Sequence, residues 1–213
     1  MNFETRRHSE KSAWTYEKLD LRQRELAASL DQTQCGTALL SEVAPVITLG
    51  RKAVPEDLFY SPEIYQAQGI QIYQTDRGGK ATYHGYGQWV LFVIEKLEKI
   101  TGDPMGVRKA TLFLLDIALK VGSRYKKDCH IRLKDETGVW SSEGKFASLG
   151  VKISRGVMLH GLCLNGYKTP QSFFGIRPCG LDAPLSFLLD RPDEAGFLQL
   201  GHEILEGTAV QLK

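Results

Sequence analysis

Residues Gln88–Ile94 read QWVLFVI, an apolar run without the alternation of a strand that shows one face to water. A continuous run of that length has the character of a central strand, covered on both faces. A chain of 213 residues is long enough to supply the cover around one sizeable core. No internal repeat or low-complexity tract suggests a boundary, so residues 1–213 are expected to form one domain.

The flanking patterns define the class. Tyr16, Leu19, Leu26, Ala27 and Leu30 recur at helical spacing, with Gly36 as the expected stop. Ala38–Leu40 and Val46–Leu49 read as short strands joined by a tight turn at Pro45, and Ile70 and Ile72 open another alternating run. Asp103-Pro104 predicts an N-cap with proline at the first helical position. Val107, Thr111, Leu114, Leu115, Ala118 and Val121 follow on one helical face. From Ile131 to Leu164 the pattern returns to strands punctuated by Gly138, Gly144 and Gly156, and Phe197, Leu200, Ile204 and Leu205 mark a C-terminal helix. This order predicts an α+β fold with a mixed sheet flanked by helices, not strict βαβ alternation. Strand order is not readable from it.

Composition removes several function classes. A formal net charge of +2 gives no electrostatic footprint for nucleic acid, and no apolar run approaches the roughly 18 residues of a membrane span. After Arg6 and Arg7 come His8, Ser9, Glu10 and Lys11 where a signal peptide would be apolar. A cytoplasmic location is therefore expected. The four cysteines, Cys35, Cys129, Cys163 and Cys179, then read as free thiols. None has the spacing of zinc ligands, so no metal site is expected.

Four stretches can carry chemistry. Arg77-Gly78-Gly79-Lys80-Ala81-Thr82-Tyr83-His84 continues into Gly85-Tyr86-Gly87, and this glycine density suits a loop whose backbone approaches a ligand closely. It is neither a phosphate loop nor a dinucleotide fingerprint. An elaborate hairpin is the structural alternative. In Gly144-Lys145-Phe146-Ala147-Ser148-Leu149-Gly150, strand period puts Lys145 on the face of Ala147, Leu149, Val151 and Ile153, toward the apolar side. A lysine there is costly unless paired or set at the mouth of a cavity, and desolvation favours the neutral amine that can act as a base. A strand-end lysine reaching into water is the commoner arrangement. In Arg177-Pro178-Cys179-Gly180-Leu181, proline and glycine pin a cysteine just before a helix expected near Asp182-Ala183-Pro184, a setting that favours thiolate. An inert buried thiol is the alternative. His160-Gly161-Leu162-Cys163-Leu164-Asn165 reads as a strand in which glycine permits close approach, a plausible substrate wall. Its histidine is by itself more typical of a hydrogen-bonded core residue.

Taken together, RGGKATYHGYGQ, GKFASLG, HGLCLN and PCGL, with PVITLGR upstream, resemble the lipoyl (octanoyl) transferases in order and approximate spacing. The likeness runs from the first helix to Leu181. Tyr86 departs from the proline usual there, and Cys163 from alanine. The resemblance implies a single catalytic domain of the biotin and lipoate protein ligase fold. It implies Cys179 as the nucleophile that forms a thioester and Lys145 as the residue that lowers the thiol's pKa. It implies a substrate pocket built from Arg77, Gly78, Gly79, Lys80, Ala81, Thr82, Tyr83 and His84, from Ser148, Leu149 and Gly150, and from Gly161, Leu162 and Cys163.

The implied donor is octanoyl-acyl carrier protein, whose phosphopantetheine travels with it, so no resident cofactor is expected. The implied acceptors are lipoyl domains of 2-oxoacid dehydrogenase complexes and the glycine cleavage H protein, with no oligomer required. Two rivals stay open: an ATP-dependent lipoate ligase of the same fold, which needs no cysteine nucleophile, and a non-catalytic module that binds acylated carrier. The basic run Lys120, Arg124, Lys126, Lys127, Arg132 and Lys134 is ordinarily a solvated face, and is the candidate dock for an acidic carrier.

Overall fold

The computed structural model describes residues 1–9, 12, 14–178 and 183–211. In chain order the strands are β1 (Asn2–Arg7), β2 (Thr37–Glu42), β3 (Val46–Leu49), β4 (Gln71–Gln74), β5 (Ala81–His84), β6 (Gln88–Lys96), β7 (His130–Arg132), β8 (Gly138–Ser141), β9 (Gly144–Ser154) and β10 (Val157–Asn165). The helices are α1 (Tyr16–Thr33), α2 (Pro62–Ala67), α3 (Leu97–Thr101), α4 (Val107–Gly122) and α5 (Glu194–Gln211). Seven strands form one mixed sheet in the order β1-β2-β6-β10-β9-β8-β7, and β4-β3-β5 form a smaller one. In the large sheet only the β1–β2 pair is parallel.

The apolar run that begins at Gln88 is the third strand of the large sheet and is buried throughout. Its side chains divide by alternation. Trp89, Leu91 and Val93 pack with α4 and α5 through Leu114, Ala118, Phe197 and Leu200, while Val90, Phe92 and Ile94 pack with Tyr16 and Leu19 of α1. Each such side chain contributes about 1.5–3 kcal/mol on burial, so both helical layers are held by the same strand. Trp89 is the tightest junction: its ring stacks on Phe197 at 4.6 Å and its Nε1 donates to the Phe197 carbonyl at 2.8 Å. α1 also buries Asp20 and Gln23, which its apolar period does not announce.

Four local expectations change. α1 ends at Thr33, with Gln34 in the left-handed conformation (φ 53°) and its N–H bonded to the Leu30 carbonyl. Gly36 instead serves close approach: its N–H donates to Glu95 Oε2 at 3.0 Å, and a Cβ there would collide with that carboxylate. Asp103-Pro104 does not cap α4, whose N-cap is Gly106. Asp103 accepts from the Met105 N–H at 2.9 Å in the turn between α3 and α4. The turn at Pro45 joins strands of different sheets, since β2 pairs with β1 and β6 whereas β3 pairs with β4 and β5. The segment from Ala183 to Asp193 carries no helix; Leu185 instead bridges to Lys145. β1, α2 and α3 have no counterpart in the apolar pattern, being short or exposed.

Trp89→Ala removes the ring that both α5 and the sheet pack on. It is expected to cost about 3–5 kcal/mol, read as a lower urea midpoint at an unchanged m-value.

Candidate active site

The small sheet folds over the α1 side of the large one and leaves a cavity of about 560 Å³ between them. Alternation along β5 sorts the glycine-rich stretch. Thr82 and His84 face the cavity, whereas Ala81 and Tyr83 pack into a separate cluster with Ile47, Tyr65 and Ile70. Ala81 and Tyr83 are thus not brought to the cavity. Arg77, Gly78, Gly79 and Lys80 are, as are Ser148, Leu149 and Gly150 of β9 and Gly161, Leu162 and Cys163 of β10. Pairing explains the last two groups: Cys163 sits opposite Ser148 and Gly161 opposite Gly150, so the residues converge across one ladder.

The wall formed by Arg77–Lys80 is laced into place by main-chain bonds. Gly50, Arg51 and Lys52 donate to the carbonyls of Lys80, Arg77 and Gly79 at 3.3, 3.0 and 3.0 Å, and Gly78 donates to Val151 at 3.0 Å. Gly79 takes φ +90°, a conformation open to glycine. A Cβ on Gly50 would strike the Gly79 carbonyl. Arg77 is buried and bonds Thr48 through Nε (3.2 Å) and Nη2 (2.7 Å to the carbonyl, 2.8 Å to Oγ1). Its guanidinium clamps the loop to β3.

Lys145 arrives at the site by a different route from strict alternation. β8 and β9 pair Val139 with Ala147 but Trp140 with Lys145, so Phe146 is an extra residue on β9. That bulge turns Phe146 into the α4 core against Gly122 and puts Lys145 on the opposite face from Phe146. The lysine stem passes over Gly138, whose missing Cβ would collide with Lys145 Cε, next to cavity-lining Thr137. Lys145 is only 3% exposed, and its Nζ has no hydrogen-bond partner among the described residues. The centroid of the Trp140 ring lies 5.7 Å from it. The expectation that Lys145 shares the face of Ala147, Leu149, Val151 and Ile153 is corrected by this bulge, while its burial stands.

Cys179 lies outside the described residues, as do residues 180–182, but the flanking segments up to Pro178 and from Ala183 do not. Arg177 N–H donates to the Asp57 carbonyl at 3.0 Å. On the other side Lys145 N–H donates to Pro184 at 2.9 Å, and Ser186 N–H donates to the Lys145 carbonyl at 2.9 Å.

Beneath the cavity, His160 is fully buried with φ +59° and lies against α1 instead of lining the cavity. Its N–H donates to Gln23 Oε1 at 2.8 Å, and its Nε2 meets Asp76 Oδ1 at 2.8 Å. Asp76 also receives Lys152 Nζ at 2.7 Å and Arg24 Nη2 at 3.1 Å. Burial pushes the Asp76 carboxyl up, but the bonds from Lys152, His160 and Arg24 outweigh it and hold the group well below the usual carboxylate range. Burial, Arg77 and His160 together lower His84 to about 3, so its ring is neutral.

Residue types alone do not reveal the remaining lining: Tyr16, Val90 and Phe92 from the core, Val151 of β9, and Lys52, Thr111, Lys134, Asp135 and Thr137. The alternation of β6 could have grouped Val90 with Phe92, but nothing local aims them at a cavity. The basic run is largely neutralised: Lys120, Arg124, Lys126 and Arg132 each pair with a carboxylate, at 2.7, 3.4, 2.9 and 3.3 Å.

Solved structures share this fold. A T. acidophilum protein described as a lipoate protein ligase, with bound lipoic acid, superposes with a TM-score of 0.68 at 11% identity, covering 100% of this chain and 86% of that one. P. falciparum LipL1 in complex with lipoate gives a TM-score of 0.68 at 12% identity, covering 99% and 63%. These define a lipoate-ligase-type α+β domain. The profile of the lipoyl protein ligase A/B catalytic domain matches residues 15–189, and the chain belongs to that family. Similar proteins include octanoyltransferases of Legionella pneumophila, 34% identical over 74% of each chain, and of Chloroflexus aurantiacus, 39% identical over 75% of this chain and 71% of the relative.

Asp76→Asn tests the network beneath the site. A carboxyl whose folded pKa is depressed contributes stability above its unfolded value of 3.8 and loses it as pH falls through the lower folded one. The variant is expected to be less stable than wild type by about 1 kcal/mol at pH 7, allowing for the partial exposure of Asp76. In urea unfolding curves the difference should shrink below a pH of about 4.

Proposed function

We propose that this protein is an octanoyltransferase of protein lipoylation, moving a medium-chain acyl group from acyl carrier protein to lysine amines of lipoyl domains through Cys179. The observation that carries the reading is a mostly apolar cavity with, beside its Thr137 wall, a buried lysine whose Nζ has no hydrogen-bond partner among the described residues. Family membership and octanoyltransferase relatives at 34% and 39% identity support the substrate class. Lipoyl domains of 2-oxoacid dehydrogenases and the glycine cleavage H protein are the acceptors in this reading.

In the first half-reaction Lys145 takes the Cys179 proton, and the sulfur attacks the thioester carbonyl carbon of the donor. Peptide N–H groups at the cavity wall stabilise the tetrahedral oxyanion. The carbon–sulfur bond to the carrier then breaks, and the pantetheine thiolate leaves with the proton returned by Lys145. In the second half the acceptor amine attacks the Cys179 thioester and gives up a proton to Lys145. Collapse forms the amide and restores the thiol. Exchange of one thioester for another is near thermoneutral, so positioning and proton transfer are the demands, and no nucleotide is consumed. Burial of Lys145 fits this role, because its amine is screened from bulk water and has no described hydrogen-bond partner that would divert it from the thiol. The bonds from Lys145 to Pro184 and Ser186 support the pairing, since the segment that follows Cys179 is tied to the lysine's own backbone.

Cys179→Ser is expected to give no octanoyl mass increment after mixing with octanoyl-carrier protein, by intact-mass spectrometry. A normal thioester adduct in that variant removes Cys179 from the mechanism.

Lys145→Ala is expected to lower kcat/KM by about 10²–10⁴ and to displace the rise of the pH–rate profile to higher pH, because the thiol must then ionise unaided. An unchanged profile reduces Lys145 to packing.

A further inference from the structure

The cavity is open at one end and closed at the other. Lys52, Lys134 and Asp135 at its mouth are exposed, whereas Tyr16, Val90, Phe92 and Cys163 are at most 5% exposed. Within the closed end, Val90 and Cys163 share a rung with Ser148 and lie nearer Lys145, whereas Phe92, with Tyr16 against it, lies farther along the strands. Phe92 pairs with Gly161, which pairs with Gly150, two strands across from Lys145 and four ladder steps along β9 from it once the bulged Phe146 is set aside. At about 3.3 Å per residue and 4.8 Å per strand, the offset is about 13 Å along the strands and about 10 Å across them. The lysine stem and the aromatic rings occupy part of that interval.

We propose that Tyr16, stacked on His84 and braced by Phe92, is the stop that sets the longest acyl chain the enzyme admits. The inference rests on the acyl-transfer reading and assigns its chain-length determinant. Attraction alone discriminates weakly, since each buried methylene is worth only about fourfold in affinity and a longer chain gains it too. Rejecting longer chains takes a wall that does not yield.

Tyr16 meets that condition. Its ring lies on His84 at 5.3 Å and 14°, edge-on to Phe92 at 6.2 Å, and against Tyr73 at 5.5 Å. Its hydroxyl lies 3.5 Å from Nδ1 of His160, itself fixed by Asp76 at 2.8 Å. Tyr16 is also the first residue of α1, directly after the Thr15 cap, so its backbone is held as well. The Asp76 network beneath the cavity therefore acts as the backing of this floor.

The test compares kcat/KM for hexanoyl-, octanoyl-, decanoyl- and dodecanoyl-carrier protein in the full-length wild type and variants. Tyr16→Ala is expected to raise the dodecanoyl-to-octanoyl ratio at least tenfold. Tyr16→Phe, which keeps the ring, should leave that ratio within about twofold of wild type. Cys163→Phe adds bulk opposite Ser148, nearer Lys145, and should move the preference toward hexanoyl, which keeps the idea testable if Tyr16→Ala does not fold. A wild-type dodecanoyl-to-octanoyl ratio in folded Tyr16→Ala overturns the proposal, as does an unshifted preference in Cys163→Phe. A wild type that transfers octanoyl while either of these results holds leaves the acyl-transfer reading intact. A wild type that transfers no acyl group from any carrier overturns both.

Discussion

The double burial of β6 is the constraint on which the remaining architecture depends. Its two sets of side chains must both leave water, so one face draws α4 and α5 and the other draws α1. A single helix does not cover the α1 face as fully as two cover the other. The uncovered remainder, along β9 and β10, is roofed by the small sheet, and the space beneath that roof is the cavity. The site is thus a consequence of unequal cover on the two sides of one sheet.

Polar groups inside this arrangement are held by specific partners. Arg77 buries a guanidinium by giving its donors to Thr48 and the Gly78 carbonyl, which rigidifies the loop bordering the cavity. Asp76, the adjacent residue, gathers His160, Lys152 and Arg24 on the other side. Two neighbouring residues of opposite charge therefore anchor the same turn in opposite directions, and the turn borders the cavity between them. Lys145 Nζ has no such partner among the described residues, and neither do Ser41 Oγ, Tyr83 Oη and His84 Nδ1. An unpaired amine buried beside the cavity is costly unless it serves the chemistry there.

The bulge at Phe146 shows how a small backbone irregularity governs the chemistry. Without it, period two puts Lys145 among Ala147 and Leu149, in the α4 core. With it, Phe146 takes the core position and the lysine crosses to the face that carries Trp140 and Gly138. No residue between Gly144 and Ser148 signals an insertion, because the choice depends on Phe146 finding space over Gly122 on a helix more than twenty residues earlier in the chain. For the same reason Asp20 and Gln23 read as solvent-facing in the helix pattern, yet they lie buried against His160 and Tyr73.

Local periodicity and glycine placement determined the α+β class, the two long helices from Tyr16 and Val107, the C-terminal helix, and β6, β9 and β10. They also pointed to the three stretches that meet at the cavity, because apolar period and backbone freedom are properties of neighbouring residues. Tertiary structure alone decided the strand order and the division of β2 and β3 between two sheets. It turned Ala81 and Tyr83 away from the cavity, swung Lys145 across the sheet, and brought Tyr16, Val90 and Phe92 to its closed end. Those outcomes depend on which distant side chains compete for the same buried volume, and that competition is settled only when the layers pack.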